Sequence, residues 1–209
     1  MHRNVSLRNV RFNWLAVLEP KQFNKGDDHR YQAEVLIEEG SEAHKVLNEA
    51  VQSAAEEKWP GKGEGMVKVA ASNGKCCRKE GDQMPLNKKT MEIPEYYTGN
   101  VVLATGRVLE RDGEPKVYSQ RASTLALVPV TKDTVFGADL VKPVRGNYGD
   151  VLVSLWGWEF NGAPQINCTL EAIAFRGEGD ALGNQAPVTP DVVADAFGAE
   201  IEQEPNPFE

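Results

Sequence analysis

The run Asp150 to Phe160 is written with a period of two. In VLVSLWGWEF, Val151, Val153 and Leu155 hold the odd positions, while Ser154, Trp156, Trp158 and Phe160 hold the even ones. Successive side chains of a strand point to opposite faces, so the pattern predicts an extended segment with an aliphatic face for a core and an aromatic face opposite it. Asn161-Gly162 follows, a pair suited to a two-residue turn, and the run APQINCTLEAIAF comes next. This pair of runs is expected to form a closing β-hairpin.

The same reasoning finds further strands. Val5 to Leu18 is rich in β-branched and aromatic residues and stops at Glu19-Pro20. In RYQAEVLIE, Tyr31, Ala33, Val35 and Ile37 alternate with mostly polar neighbours, so Tyr31 is assigned to the core. Phe12 and Trp14 share a face with Val10 and are expected to be buried with it. Val101 to Glu110 and Lys116 to Val130 are strand-like, with Asp112-Gly113 as a hairpin turn between them. Ser41 can cap a helix whose apolar positions Ala43, Val46, Leu47, Ala50, Val51 and Ala54 recur at helical spacing, ending near Trp59-Pro60-Gly61. Five or more strands, turn signals between them and one helix predict a mainly β protein built on a small barrel rather than a parallel α/β sheet.

Charge is segregated along the chain. The 33 residues from Gly177 to Glu209 hold eight carboxylates and no Lys or Arg, and the 23 acidic residues before them equal the 23 Lys and Arg. The formal charge of −8 therefore belongs to the tail, and a neutral body leaves room for a locally basic groove. Residues 1–182 are expected to form one domain with insertions at about 58–95 and 130–147. Residues 183–209, Gly- and Pro-rich at first and then acidic, are expected to be disordered, with a short helix from Asp191 to Phe197 allowed on a partner. From Lys58 to Lys89, eight basic residues face three acidic ones among several glycines, predicting a basic inserted loop, and GKGEG at Gly61 to Gly65 reads as a flexible connector.

Several kinds of protein are disfavoured. No apolar run reaches membrane-spanning length, and the first residues lack a signal-peptide stretch, so a soluble chain in the cytoplasm is expected. Cys76, Cys77 and Cys168 are odd in number and unevenly spaced, which argues against a disulfide framework. His2, His29 and His44 lie far from any metal-binding spacing, and no nucleophile elbow, phosphate loop or kinase-like set is present. Neither metal, cofactor nor catalytic activity is expected.

What remains is the chemistry of a single-stranded nucleic acid binder: cations that displace counterions, and aromatic faces on which bases stack. The candidate cations are Lys25, Arg30, Lys75, Arg78, Lys79, Lys88, Lys89, Arg107, Lys116 and Arg121, and the candidate rings are Tyr96, Tyr97, Tyr118, Trp156 and Trp158. Trp156 and Trp158 lie about 7 Å apart along one strand, close to the spacing of unstacked bases. Their face either stacks bases or is covered by a helix or a second subunit. Of Tyr96 and Tyr97, one is expected to face inward and the other outward. RNA binding, or a non-enzymatic scaffold role in a virion, stays open beside DNA binding.

The order of motifs resembles a family of phage-encoded single-stranded DNA-binding proteins once catalogued as a domain of unknown function. The carriers are FNWLAVLEPKQFNKGDDHRYQAEVLI, AAEEKW, YTGNVVLATGR, NYGDVLVSLWGWEF and AFRGEGDALG before an acidic tail, over roughly Val5 to Gly183. The resemblance implies an OB-fold, protection of single strands in phage replication or recombination inside the host cell, and no catalysis. The chain also resembles, more distantly, replication single-strand binders of phages and bacteria whose acidic tails end in aromatic residues, which implies that Glu200, Glu202, Glu204, Pro207, Phe208 and Glu209 recruit replication or recombination proteins. A homo-oligomer is compatible with this reading.

Overall fold

A computed structural model describes residues 2–22 and 24–182 of the protein. The described residues run in the order β1 (His2–Lys21), β2 (Arg30–Glu38), α1 (Glu42–Lys58), α2 (Gly63–Ser72), β3 (Arg78–Glu80), β4 (Asn100–Val108), β5 (Lys116–Gln120), β6 (Leu127–Pro129), β7 (Tyr148–Phe160) and β8 (Ala163–Gly177). Single helical turns lie at Gly81–Gln83, Glu95–Tyr97 and Leu109–Asp112. The expectations for Glu200, Glu202, Glu204, Pro207, Phe208 and Glu209, and for the helix from Asp191 to Phe197, lie outside the described residues.

Five strands close on themselves. β4, β2, β1, β7 and β8 are consecutive antiparallel neighbours, and β8 returns to β4 through a parallel pairing of Gly106 with Thr169. β3 pairs with β4 beside the barrel, while β5 runs parallel to β8 and carries β6. The alternation in the sequence becomes the inside of this barrel: Leu7, Phe12, Val35, Leu103, Val153, Leu155, Leu170 and Phe175 are fully buried. Phe12 and Phe175 meet edge to face there, with ring centroids 5.0 Å apart.

The helix α1 begins where expected, with Ser41 Oγ accepting a hydrogen bond from the His44 amide at 3.2 Å. Its buried stripe of Ala43, Leu47, Ala50, Val51, Ala54 and Ala55 packs onto the barrel. At its far end it touches β7 at Gly157, where a Cβ would lie 2.6 Å from Lys58 Cβ. Any side chain at that position would push the helix off the strand. The Asn161-Gly162 turn has φ of 51° and 75°, the doubly left-handed turn its sequence demands, and it joins β7 to β8 in one hairpin.

Four expectations are corrected. GKGEG is not a flexible connector; it leads into α2, whose buried Gly63 and Ala70 are small enough to lie close against α1. The basic stretch is accordingly divided into α2, β3 and the excursion 81–99. Asp112-Gly113 does not turn a hairpin: Asp112 ends a helical turn, and β5 joins β8 in parallel instead of folding back on β4. The strand expected over Lys116 to Val130 is two short strands, β5 and β6, paired with each other. Finally, Trp14 is not buried with Phe12. Phe12 pairs with Val35 and Trp14 with Glu34, so Asn13 is one residue too many for its partner strand. Such a bulge reverses the parity of everything after it, and Trp14 is turned outward at 45% exposure.

Candidate nucleic-acid interface

A groove of about 590 Å³ crosses the outer barrel wall over β1, β2, β4, β7 and β8. Three tryptophans line it. Trp156 and Trp158 stand on the even face of β7, with centroids 6.1 Å apart and planes inclined at 74°. Trp158 is 49% exposed, and Trp156 is half-buried with its indole N–H donating to Thr169 Oγ1 at 3.3 Å. Among the described residues the aromatic face is therefore open, and α1 does not cover it. Trp14 is the third ring, and Lys21 Nζ lies over it at 4.7 Å from the centroid.

The cations of the groove come from four separate segments. Arg30 opens β2, Lys75 precedes the buried Cys76-Cys77 pair and Lys79 follows it in β3, Arg107 is the penultimate residue of β4, and Arg111 lies on the following turn. Arg107 is tied down, its Nη1 meeting Glu171 Oε2 at 2.5 Å and its Nη2 donating to the Asp112 carbonyl at 2.5 Å. Arg111 is bidentate to Asp112 at 2.9 Å, which holds the Asp112 carboxyl below its ordinary range. Arg30, Lys75 and Lys79 are exposed and form no ion pair among the described residues. Gln32, Gln165 and Asn167 add amide donors and acceptors along the floor.

The three cysteines also line this floor, where they are free and buried. Contact with Cys77 and burial raise the Cys76 thiol far above its usual range, and contact with Cys168, with burial, raises Cys77. Among the described residues no group of three or more His, Cys, Asp or Glu is arranged to hold a metal ion.

A second, larger cleft of about 1200 Å³ lies at the other end of β1, β2 and β4. Tyr96 lines it with the Arg145 guanidinium 5.0 Å above its ring, and Tyr148 lines it beneath Arg11 at 5.4 Å. Glu38, Glu92, Glu95 and Asp180 share its wall. Tyr97 is the inward member of its pair. It is 8% exposed, and its hydroxyl donates to Glu34 at 2.8 Å. Burial and that carboxylate push its hydroxyl well above the usual tyrosine range. Its faces are covered, which withdraws Tyr97 from the stacking candidates in this conformation.

The groove thus gathers Arg30, Lys75, Lys79, Arg107, Trp156 and Trp158 from the sequence candidates. It leaves others elsewhere. Lys25 is exposed on the turn between β1 and β2, and Arg78, half-buried, pairs with Glu80 at 2.7 Å. Lys88 and Lys89 are exposed on a turn beside the second cleft. Lys116, Tyr118 and Arg121 belong to the β5–β6 lobe, where Arg121 pairs with Asp139 at 3.3 Å, and they line neither cavity. Sequence reasoning missed Trp14, Lys21 and Arg111. The Asn13-Trp14 bulge leaves no mark in a two-residue period, and Arg111 falls between the strand expected to end at Glu110 and the turn expected at Asp112-Gly113.

A closed five-stranded barrel with aromatic rings and cations across its wall is an OB-fold of the type that carries a ligand on its strand face. Residues 3–205 match the family described as Enterobacter phage Enc34, ssDNA-binding protein, and the chain belongs to that family. It is the family that the sequence motifs resemble.

Solved structures give the same fold. The single-stranded DNA-binding protein from bacteriophage Enc34 in complex with ssDNA is similar with a TM-score of 0.59 at 16% identity, over 85% of this chain and 88% of that one. A second structure of the single-stranded DNA-binding protein from bacteriophage Enc34 gives 0.56 at 16% identity, over 90% and 88%. Its C-terminal truncation gives 0.56 at 15% identity, over 85% and 87%. No curated protein matches the chain. Among the described residues no helix is long and apolar enough to cross a membrane.

Proposed function

We infer that this protein binds single-stranded DNA in the groove of Trp14, Trp156 and Trp158, protecting exposed strands during phage replication or recombination. The observation that carries the reading is the convergence of three accessible indoles with Arg30, Lys75 and Lys79, which are exposed and without ion-pair partners among the described residues. Stacking on rings and displacement of counterions need no particular base, so binding is non-specific in sequence. The family's namesake, the ssDNA-binding protein of Enterobacter phage Enc34, and its structure in complex with ssDNA support the same reading. The protein acts by occupancy and not by catalysis, in the cytoplasm of the host cell. The acidic residues of 183–209, with Pro207 and Phe208, recruit replication or recombination proteins.

A competition gel with single-stranded DNA, RNA and duplex at two salt concentrations tests the reading. Single-stranded DNA is expected to compete best. Preference for RNA would replace the ligand, and failure of every nucleic acid to bind would leave the barrel as a scaffold. Deleting residues 183–209 is expected to abolish capture of partner proteins while leaving a DNA-binding body.

A further inference from the structure

Asn13 is the extra residue of the β1 bulge, and it is 5% exposed. A buried amide costs stability unless its donors and acceptor are satisfied. Here they are held from three directions. Asn13 Nδ2 donates to Glu34 of β2 and, at 3.1 Å, to the Tyr97 hydroxyl, while Asn13 Oδ1 accepts from Arg145 Nε at 2.7 Å. Tyr97 closes the triangle through its bond to Glu34.

These bonds fix a choice of register. With the bulge, Trp14 lies opposite Glu34 and faces the groove. In a regular strand Asn13 would take the place opposite Glu34, and Trp14 would move to the place opposite Ala33, which is 2% exposed and faces the core. A tryptophan would gain burial by that slip, so the outward ring needs a device that forbids it. At the extra residue itself the side-chain anchor is the Asn13 amide.

We propose that Asn13 is a positioning residue for the nucleic-acid groove, which its bonds to Glu34, Tyr97 and Arg145 serve by locking the β1 bulge and so presenting Trp14. The inference rests on the groove being the binding site. Arg145 reaches Asn13 from the wall of the second cleft, so a residue lining that cleft helps to set the binding face without touching it.

The test is a double-mutant cycle on the full chain, read by affinity for a poly-dT oligonucleotide. Trp14→Ala is expected to weaken binding about tenfold, within the range for a lost base stack. Asn13→Val is expected to weaken it by a similar factor in the wild-type background and by less than about twofold in the Trp14→Ala background. A readout without DNA accompanies it: in protein labelled with 5-fluorotryptophan, the Trp14 fluorine signal of Asn13→Val is expected to lose its water-to-D₂O shift. Tyr97→Phe, which keeps the ring and removes only a hydroxyl, is expected to move both readouts the same way by a smaller amount, and it serves where Asn13→Val fails to fold. An equal loss from Asn13→Val in both backgrounds, or a Trp14 signal that keeps its solvent shift, would overturn the proposal. Wild-type protein that ignores poly-dT would overturn the groove instead, and the fluorine readout would still decide the role of Asn13.

Discussion

Trp156 and Trp158 meet edge to face, at 6.1 Å and 74°, although they stand two residues apart on one strand. Rings so inclined cannot extend one continuous stack. Each indole therefore offers its own platform, and neighbouring bases must splay apart to use both.

Truncation of either ring to Ala is expected to cost about 1–3 kcal/mol of binding to single-stranded DNA. Because Trp158 is half exposed, Trp158→Ala is expected to leave urea unfolding within about 0.5 kcal/mol of wild type. Trp156→Ala also abandons the bond to Thr169 and should lose more stability. The exciton-coupled circular dichroism of a 2-aminopurine dinucleotide within the oligonucleotide should be lost on binding if its bases are separated, and a retained coupling signal would contradict the splayed arrangement.

The electrostatic share of binding is measurable by salt titration. Arg30, Lys75 and Lys79 are expected to contribute a slope of about −2 in log affinity against log salt, from about −0.7 per phosphate contact on a single strand. Replacing all three by Ala should remove that slope and leave stacking intact. Loss of affinity with an unchanged slope would show that these side chains do not meet phosphates.

The core makes a separate demand. Phe175 is fully buried against Phe12, so Phe175→Ala leaves a cavity and is expected to cost about 3–5 kcal/mol in urea unfolding. A loss below about 1 kcal/mol would mean that the barrel interior collapses freely around the missing ring.

Alkaline stability reports the tyrosines. Burial first, then the hydrogen bond with Glu114, pushes Tyr31 up to about 12, and Tyr97 is also raised. A phenol whose folded pKa exceeds its unfolded value, about 10, favours the fold while neutral. That contribution is complete below pH of about 10 and is lost as pH rises through the folded pKa. Stability is expected to hold to about pH 10 and to fall above it, and Tyr31→Phe should flatten the decline. A decline that Tyr31→Phe leaves unchanged would exclude Tyr31 as its source.

Thiol chemistry gives a last check. With Cys76 and Cys77 raised and all three cysteines buried, native protein at pH 8 is expected to react with Ellman's reagent at far less than its thiol content. Denaturation should release all three. Rapid native labelling would mean that the groove floor opens.

The strands were legible because one face of each is buried, and a buried face imposes a period of two. RYQAEVLIE coincides with β2, and the Asn161-Gly162 turn with the β7–β8 hairpin. The groove was legible only in part, because its walls come from strands far apart in the chain. Trp156 and Trp158 announce themselves by alternation along one strand. Trp14 does not, since a bulge is decided by tertiary partners such as Glu34, Tyr97 and Arg145. Lys116, Tyr118 and Arg121 mix rings and charges as a binding strand would, yet β5 lies outside the closed barrel because it pairs with the far side of β8. Composition cannot tell an edge lobe from a barrel wall.

The barrel closes at Gly106 and Thr169, and both residues also line the groove. The wall is stitched most sparsely directly beneath the surface a strand would occupy. A ligand lying there bridges the seam from outside, as a splint bridges a crack. Occupancy should therefore slow amide exchange at Gly106 and Thr169 more than at the continuous β7–β8 ladder, so that the rigidity of the container depends on its cargo.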